Sequence, residues 1–335
     1  MHTHRFWLQM THNPSGQHFL LSAKARTLSL AKVLRLTDDE AWDTFKAIRW
    51  ASTGGEPVCP RCGCLTIYNL NDNRRFKCAA CHHKFSVTSG TIFASRKLAL
   101  RDILAAIAIY VNGAKGHSAL QLSRDLDVQY KTAFVLTHKV REAIAAEQAA
   151  IGEVAGSVEV DGAYFGGYLK PANRREDRKD RRRKIYQTGK REVEVVMRER
   201  DGRTLPFVAP TEAASVARIE ASVAPGSVIY ADEADHWNRL EAHFLTRRIN
   251  HRVEYANGEI STNQAESFFS RIRRAEIGIH HHIAGPYLAA YAAEMGWRED
   301  RRRVSNGEQF LAATAASLGH PVSRQWKGYW QRQAQ

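Results

Sequence analysis

The sequence predicts an α/β protein in which a cysteine-bearing ribbon and a helical region precede a mixed sheet flanked by helices. Three observations predict it. Four cysteines fall into two CxxC pairs between Cys59 and Cys81. The stretch from about 98 to 148 carries apolar residues at helical spacing. From 157 the pattern changes to short β-rich runs, SVEVD (157–161), EVEVVM (192–197), TLPFVAP (204–210) and SVIYAD (227–232), interleaved with helical stretches.

The totals narrow the function classes. A chain of 335 residues has room for two or three domains, and 44% apolar with 25% charged residues suits an ordinary globular protein. No apolar run reaches the roughly 18 residues that a membrane span needs. The opening MHTHRFWLQMTHNPSGQHFLL lacks the basic end, apolar block and small-residue site of a secretory leader, so a cytosolic protein is expected. Lys and Arg number 49 against 35 acids, a formal charge of +14 that favours a polyanionic partner, nucleic acid above all.

In chain order, residues 1–27 are irregular and His-containing. LSLAKVLRLTDDEAWDTFKAIRW (28–50) has a helix-start signal at Thr37–Asp38 and apolar positions at helical spacing. Next come Cys59-x2-Cys62, a gap of fifteen residues, and Cys78-x2-Cys81. Each CxxC turn aims two thiolates at one point, and two such turns complete a tetrahedral S4 shell for structural Zn2+. Four thiolates leave no open coordination position, so no catalysis is expected there. Cys64 is left over as a free thiol, and His82 and His83 are unnecessary as ligands. Arg74, Arg75, Lys77 and Lys84 give this module a charge suited to phosphate contact.

NGAKGHSALQLSRDLDVQYKTAFVLTHKVREAI (112–144) reads as helix, tight turn, helix. Ser118 caps the first helix and Asp127–Val128 makes the turn, while Ala133, Phe134, Leu136, Val140 and Ile144 give the second its apolar face. Used as a helix-turn-helix in a major groove, it would present Gln129, Tyr130, Lys131 and Thr132. An ordinary helical hairpin has the same pattern.

Asp161 ends the run VEVD and Asp232 ends VIYAD, positions that place an acid at the carboxyl end of a sheet. Later helices are expected over 211–223, 234–248 and 261–274, with a further strand at HRVEY (251–255). Glu266 lies on the last helix, 34 residues after Asp232. Two neighbouring strands and one packed helix can bring these three carboxylates together, and divalent cations would relieve their repulsion. Such oxygen ligands suit Mg2+ or Mn2+, and two ions roughly 3.5–4 Å apart support in-line phosphoryl transfer. Singly, each Asp also fits a turn former and the Glu a helix-dipole partner.

CPRCG…CAAC, VEVDGAYFGG, VIYADEADHW and TNQAESFFSRIRRAEIGIHHHIAGPYLAAYAAE together resemble the zinc-ribbon insertion-sequence transposases of prokaryotes, of the DDE superfamily with an ISXO2-like transposase domain. The resemblance runs from about 28 to 310. It implies an RNase-H-like catalytic sheet, a Mg2+ or Mn2+ triad of Asp161, Asp232 and Glu266, and DNA as partner, both transposon ends and target. It carries Asn263 onto the family's Asn-x-x-Glu, and Arg273 onto a basic position two turns after the acid, where relatives more usually have Lys. Arg274 extends that basic run. On one helix face, Glu266 would hold metal while Arg273 grips a phosphate bidentately, with Phe269 between them.

The sequence also departs from the family. Gly162 stands where relatives often carry a second acid, Glu233 and Asp235 compete with Asp232, and His280–His281–His282 replaces a single histidine in a loop expected near DNA. Tyr164 to Gly167 fit a turn out of the first strand, and the basic insertion KPANRREDRKDRRRK (170–184) reads as a solvated loop.

The expected organisation is an N-terminal extension (1–27), helix and zinc ribbon (28–96), helix-turn-helix-like region (97–150), catalytic domain (155–310) and C-terminal tail (311–335). The activity implied is cleavage at element ends and strand transfer by a DNA-bound oligomer, in a cytoplasmic, nucleoid-associated protein. Rival readings are an RNase-H-like nuclease without strand transfer, and an inactive zinc-ribbon DNA-binding protein.

Overall fold

The computed structural model describes residues 18–70, 74–166, 172–179, 191–200, 202–249, 261–281, 283 and 285–333. Helix α1 (Leu30–Leu34) leads into α2 (Asp38–Arg49), which starts where Thr37 and Glu40 form a reciprocal capping box. The ribbon is an antiparallel sheet of β1 (Ile67–Leu70), β2 (Arg75–Cys78) and β3 (Lys84–Phe85). Its core is Phe76, with ring centroids 5.7 Å from Trp42, 5.6 Å from Trp50 and 5.4 Å from Phe85. The Arg49 guanidinium fastens α2 to the ribbon by donating to the carbonyls of Ser86, Val87 and Ser89.

Helices α3 (Leu100–Asn112), α4 (Ala119–Asp125) and α5 (Tyr130–Ala150) follow. Ser118 caps α4 by accepting from Gln121 N at 3.1 Å, and Asp127 turns the chain with φ of 49°. All five apolar positions named above on α5 are buried, so its middle is core, while Tyr130 and Lys131 at its start and Ala146, Ala149 and Ala150 near its end are exposed.

The second half is a mixed five-stranded sheet flanked by helices, consistent with the RNase-H-like fold. Strands β4 (Ser157–Phe165), β5 (Glu192–Glu199) and β6 (Thr204–Ala209) pair antiparallel in sequence. Helix α6 (Glu212–Ser222) then crosses over to β7 (Val228–Asp232), which pairs parallel with β4. Strand β8 (Leu245–Ile249) adds parallel to β7. Strand alternation sorts the two faces. Val158, Val160, Val193, Val195 and Met197 pack with Val216 and Ile219 of α6. Ala163, Phe165 and Val196 pack with α7 (Asn263–Ala275) and α8 (Gly285–Asp300). Helices α9 (Asn306–Gly319) and α10 (Tyr329–Gln333) close the chain.

Several expectations change. The helix expected over 234–248 is a 3-10 segment, Asp235–Ala242, followed by β8: pairing with β7 and burial of Ile249 override helical propensity. The strand expected at 251–255 lies outside the described residues. Tyr164 and Phe165 continue β4 instead of turning, because Phe165 is buried and pairs with Glu192. The stretch expected as a tail begins inside α9, whose Phe310, Ala313 and Leu318 join the core of α2, α3 and α5. Of the basic insertion, 172–179 are described, and Arg175–Asp177 form one exposed 3-10 turn.

Candidate metal and DNA-processing site

The ribbon brings four sulfurs together. Sγ atoms lie 3.6 Å apart for Cys59–Cys81 and for Cys62–Cys78, and 3.5 Å apart for Cys62–Cys81. A tetrahedron with Zn–S of about 2.3 Å has edges of about 3.8 Å, so these donors fit zinc. The two knuckles repeat one geometry: Gly63 N donates to Cys59 O and His82 N to Cys78 O, with φ of 72° and 55° at those two residues. The Cys81 amide donates to Cys78 Sγ and helps hold that thiol down to about 6, which readies a thiolate for metal. Cys64 stays outside the set, its sulfur 3.7 Å from Thr66 O.

The acidic site is built by β4, β7 and α7. The β4–β7 register pairs Ser157 with Val228 and Glu159 with Tyr230; continued, it brings Asp161 level with Asp232. Across from Asp161, α7 turns Glu266 toward the sheet. Asp161, Glu266, Phe269, Ser270, Arg273 and Arg274 line one cleft of about 440 Å³. Burial first, and then the neighbouring charges of Asp232, Glu266 and Glu212, raise the Asp161 carboxyl to about 7 against the opposing Gly162 N–H, which donates to Oδ1 at 2.7 Å. Among the described residues only the four cysteines gather ligand atoms within 4.8 Å of one another. The three carboxylates are spaced more openly than that.

Asp232 ends β7 half-buried, while Glu233 and Asp235 are exposed. Its Oδ1 accepts from Ala234 N, and Arg248 of β8 braces the turn by donating to the carbonyls of Asp232 and Ala234.

Two acids escaped sequence reasoning. Glu159, buried two residues before Asp161 on the same face, accepts from Gln264 N at 2.8 Å, Ala265 N at 3.1 Å and Arg200 Nε at 3.1 Å. It thereby caps α7, whose preceding Thr262 makes no side-chain cap, and fixes the helix that carries Glu266. The period-2 spacing in VEVD was the available signal. Glu212, the first residue of α6, lies against Gly162 and 3.5 Å from His236 Nε2. Nothing local marks it.

Residues 153–300 match the ISXO2-like transposase domain and residues 36–84 the transposase zinc-ribbon domain. The chain thus carries an ISXO2-like transposase domain together with a transposase zinc-ribbon domain. It is 27% identical over 274 residues, 76% of this chain and 90% of the relative, to an uncharacterized protein in transposable element ISH50 of Halobacterium salinarum. No solved structure matches.

The matched domain is of the nuclease and transposase type, and the ribbon is of a DNA-binding kind. No helix among the described residues is long and apolar enough to cross a membrane. The residues expected to touch DNA are spread over three surfaces. Arg273 and Arg274 are exposed at the cleft and Asn263 is exposed at the start of α7. Gln129 and Lys131 are exposed at the start of α5, with Lys131 Nζ 5.3 Å from the Trp330 ring. On the ribbon Arg75 is exposed, while Arg74 reaches back to Asp38 O and the Asp39 carboxylate. His280 is no loop residue: it ends a π-helical turn continuing α7 and packs 4.6 Å from Tyr291, where burial lowers it to about 4.

Proposed function

We propose that the chain is a DNA transposase that cleaves at the ends of its element and joins the freed 3′-hydroxyl to target DNA. What carries this is a single cleft in which Asp161 and Glu266 meet Arg273 and Arg274, inside a domain matched to ISXO2-like transposases. The donor set is all hard oxygen, and Asp161 is buried among other acids, a charge state that a divalent cation would relieve. Asp161, Asp232 and Glu266 would hold Mg2+ or Mn2+. Bound there, the metal supplies Lewis-acid polarisation of the scissile phosphate and of the attacking hydroxyl.

The residues do the positioning. Arg273 and Arg274 take phosphate oxygens of the element end and align the backbone across the cleft. Glu159 keeps α7 at the register that faces Glu266 toward Asp161. In the first step water attacks phosphorus, the bond from phosphorus to the 3′-oxygen breaks, and that oxygen leaves with a proton as 3′-hydroxyl. In the second, this hydroxyl attacks a target phosphate, loses its proton to solvent and displaces a target 3′-oxygen. Both are phosphoryl transfers at one centre, in which positioning and charge neutralisation outweigh acid–base work by side chains. The ribbon, through Arg75 with Arg74 beside it, and the start of α5, through Gln129 and Lys131, find the DNA. Two ends cut in concert call for at least a dimer on DNA. The divisions at 28–96, 97–150 and 155–310 follow these roles, with α9 serving the helical core.

The test is zinc-loaded full chain with Mg2+ and end-containing DNA. Joined products support transposition. Nicks alone would assign a nuclease, and binding without cuts a DNA-binding module. Asp161→Asn should abolish cutting and leave DNA affinity intact; normal cleavage by that variant would refute the site.

A further inference from the structure

The carboxylate of Glu212 lies beside the proposed cation site but belongs to none of the motifs that define it. A Cβ built on Gly162 would meet Glu212 Oε1 at 2.7 Å and Cγ at 2.9 Å. Gly162 lies within β4, paired with Val195, and its φ is outside the left-handed region, so the backbone there is open to any residue. A side chain at 162 would displace Glu212, whose carboxylate fills the space beside the glycine. A glutamate that merely complements the α6 dipole would sit outward on the first turn. Here it is half-buried against the strand that carries Asp161, and its charge is felt at Asp161 and coupled to that of Asp232. Its other oxygen faces His236 Nε2 at 3.5 Å, on the side of the 3-10 segment after β7.

We propose that Glu212 is a fourth carboxylate of the divalent-cation site, reaching the ions from α6 through the space left by Gly162. This rests on the reading of Asp161, Asp232 and Glu266 as cation ligands. The site thus gains, from a neighbouring helix, a negative charge that its first strand does not carry at position 162.

The experiment is Mn2+ binding to the zinc-loaded full chain, by calorimetry and by the Mn2+ paramagnetic resonance signal, with far-ultraviolet circular dichroism checking the fold. Glu212→Gln should weaken Mn2+ binding by roughly tenfold to a hundredfold. Gly162→Ala, which fills the space, should weaken it in the same direction without removing any acid. Asp161→Asn is the reference. Loss of Mn2+ by Asp161→Asn with unchanged binding by Glu212→Gln would overturn the fourth-ligand role and leave the triad standing. Unchanged binding in all three variants would overturn the cation site itself.

Discussion

Replacing Asp161 by Asn should stabilise the metal-free protein while abolishing its chemistry. The side chains are nearly isosteric, and Oδ1 of Asn can still accept the Gly162 N–H. What changes is the charge. Burial among Asp232, Glu266 and Glu212 raises the carboxyl from 3.8 to about 7. A folded-state pKa above the unfolded one means that the native chain binds the extra proton. Stability therefore falls as pH rises from about 4 to about 7 and levels off above. The shift corresponds to about 4 kcal/mol at pH 8, of which about 2 kcal/mol is lost between pH 5.5 and pH 8. The assay is urea denaturation of zinc-loaded wild type and Asp161→Asn, in buffer freed of other divalent ions, across that range. Wild type should weaken with rising pH, the variant should resist better at pH 8, and added Mn2+ should restore wild type alone. Equal midpoints at pH 8, with equal pH slopes, would refute the argument.

Cys78→Ser should remove bound zinc and unfold the ribbon, read as zinc content, without emptying the cleft of Mn2+. Glu159→Gln disturbs a carboxylate shared by two α7 amides and Arg200, and should cost about 1–3 kcal/mol in urea unfolding. It should also lower cleavage at temperatures where the fold is intact. Glu294→Gln strands Arg141 and Arg298, whose Nε atoms donate to Glu294 at 2.6 and 2.8 Å, and should cost about 3 kcal/mol or more.

The parts of the fold that were legible in the sequence are those written locally. Two CxxC pairs, four β-rich runs, the Thr37 helix start and the Ser118 cap each need only a few consecutive residues. Asp161, Asp232 and Glu266, the proposed cation ligands, were nameable because the first two end apolar runs and the third sits on an amphipathic helix. The rest depended on partners far away in the chain. Arg-rich LTRRI becomes β8 only because β7 offers it a parallel edge. Glu159 acts on α7 more than 100 residues later, and Glu212 acquires its setting from a glycine 50 residues earlier. Trp297 and Phe310 join a core begun before residue 50.

Helix α8 touches both halves of the molecule. Met295 belongs to the sheet's core and Trp297 to the helical one, and a Cβ on Gly296 would come within 2.8 Å of Pro206 Cδ. Glu294 meanwhile joins Arg141 of α5 to Arg298, which also donates to Tyr110 O and Gly113 O beyond α3. Anyone trimming this chain to its nuclease half would expose a tryptophan and leave buried charges without their counterions. Melting should accordingly run as one event through both halves, and a fragment begun at residue 100 would open the core that Phe45, Trp50 and Phe93 share with α3 and α9.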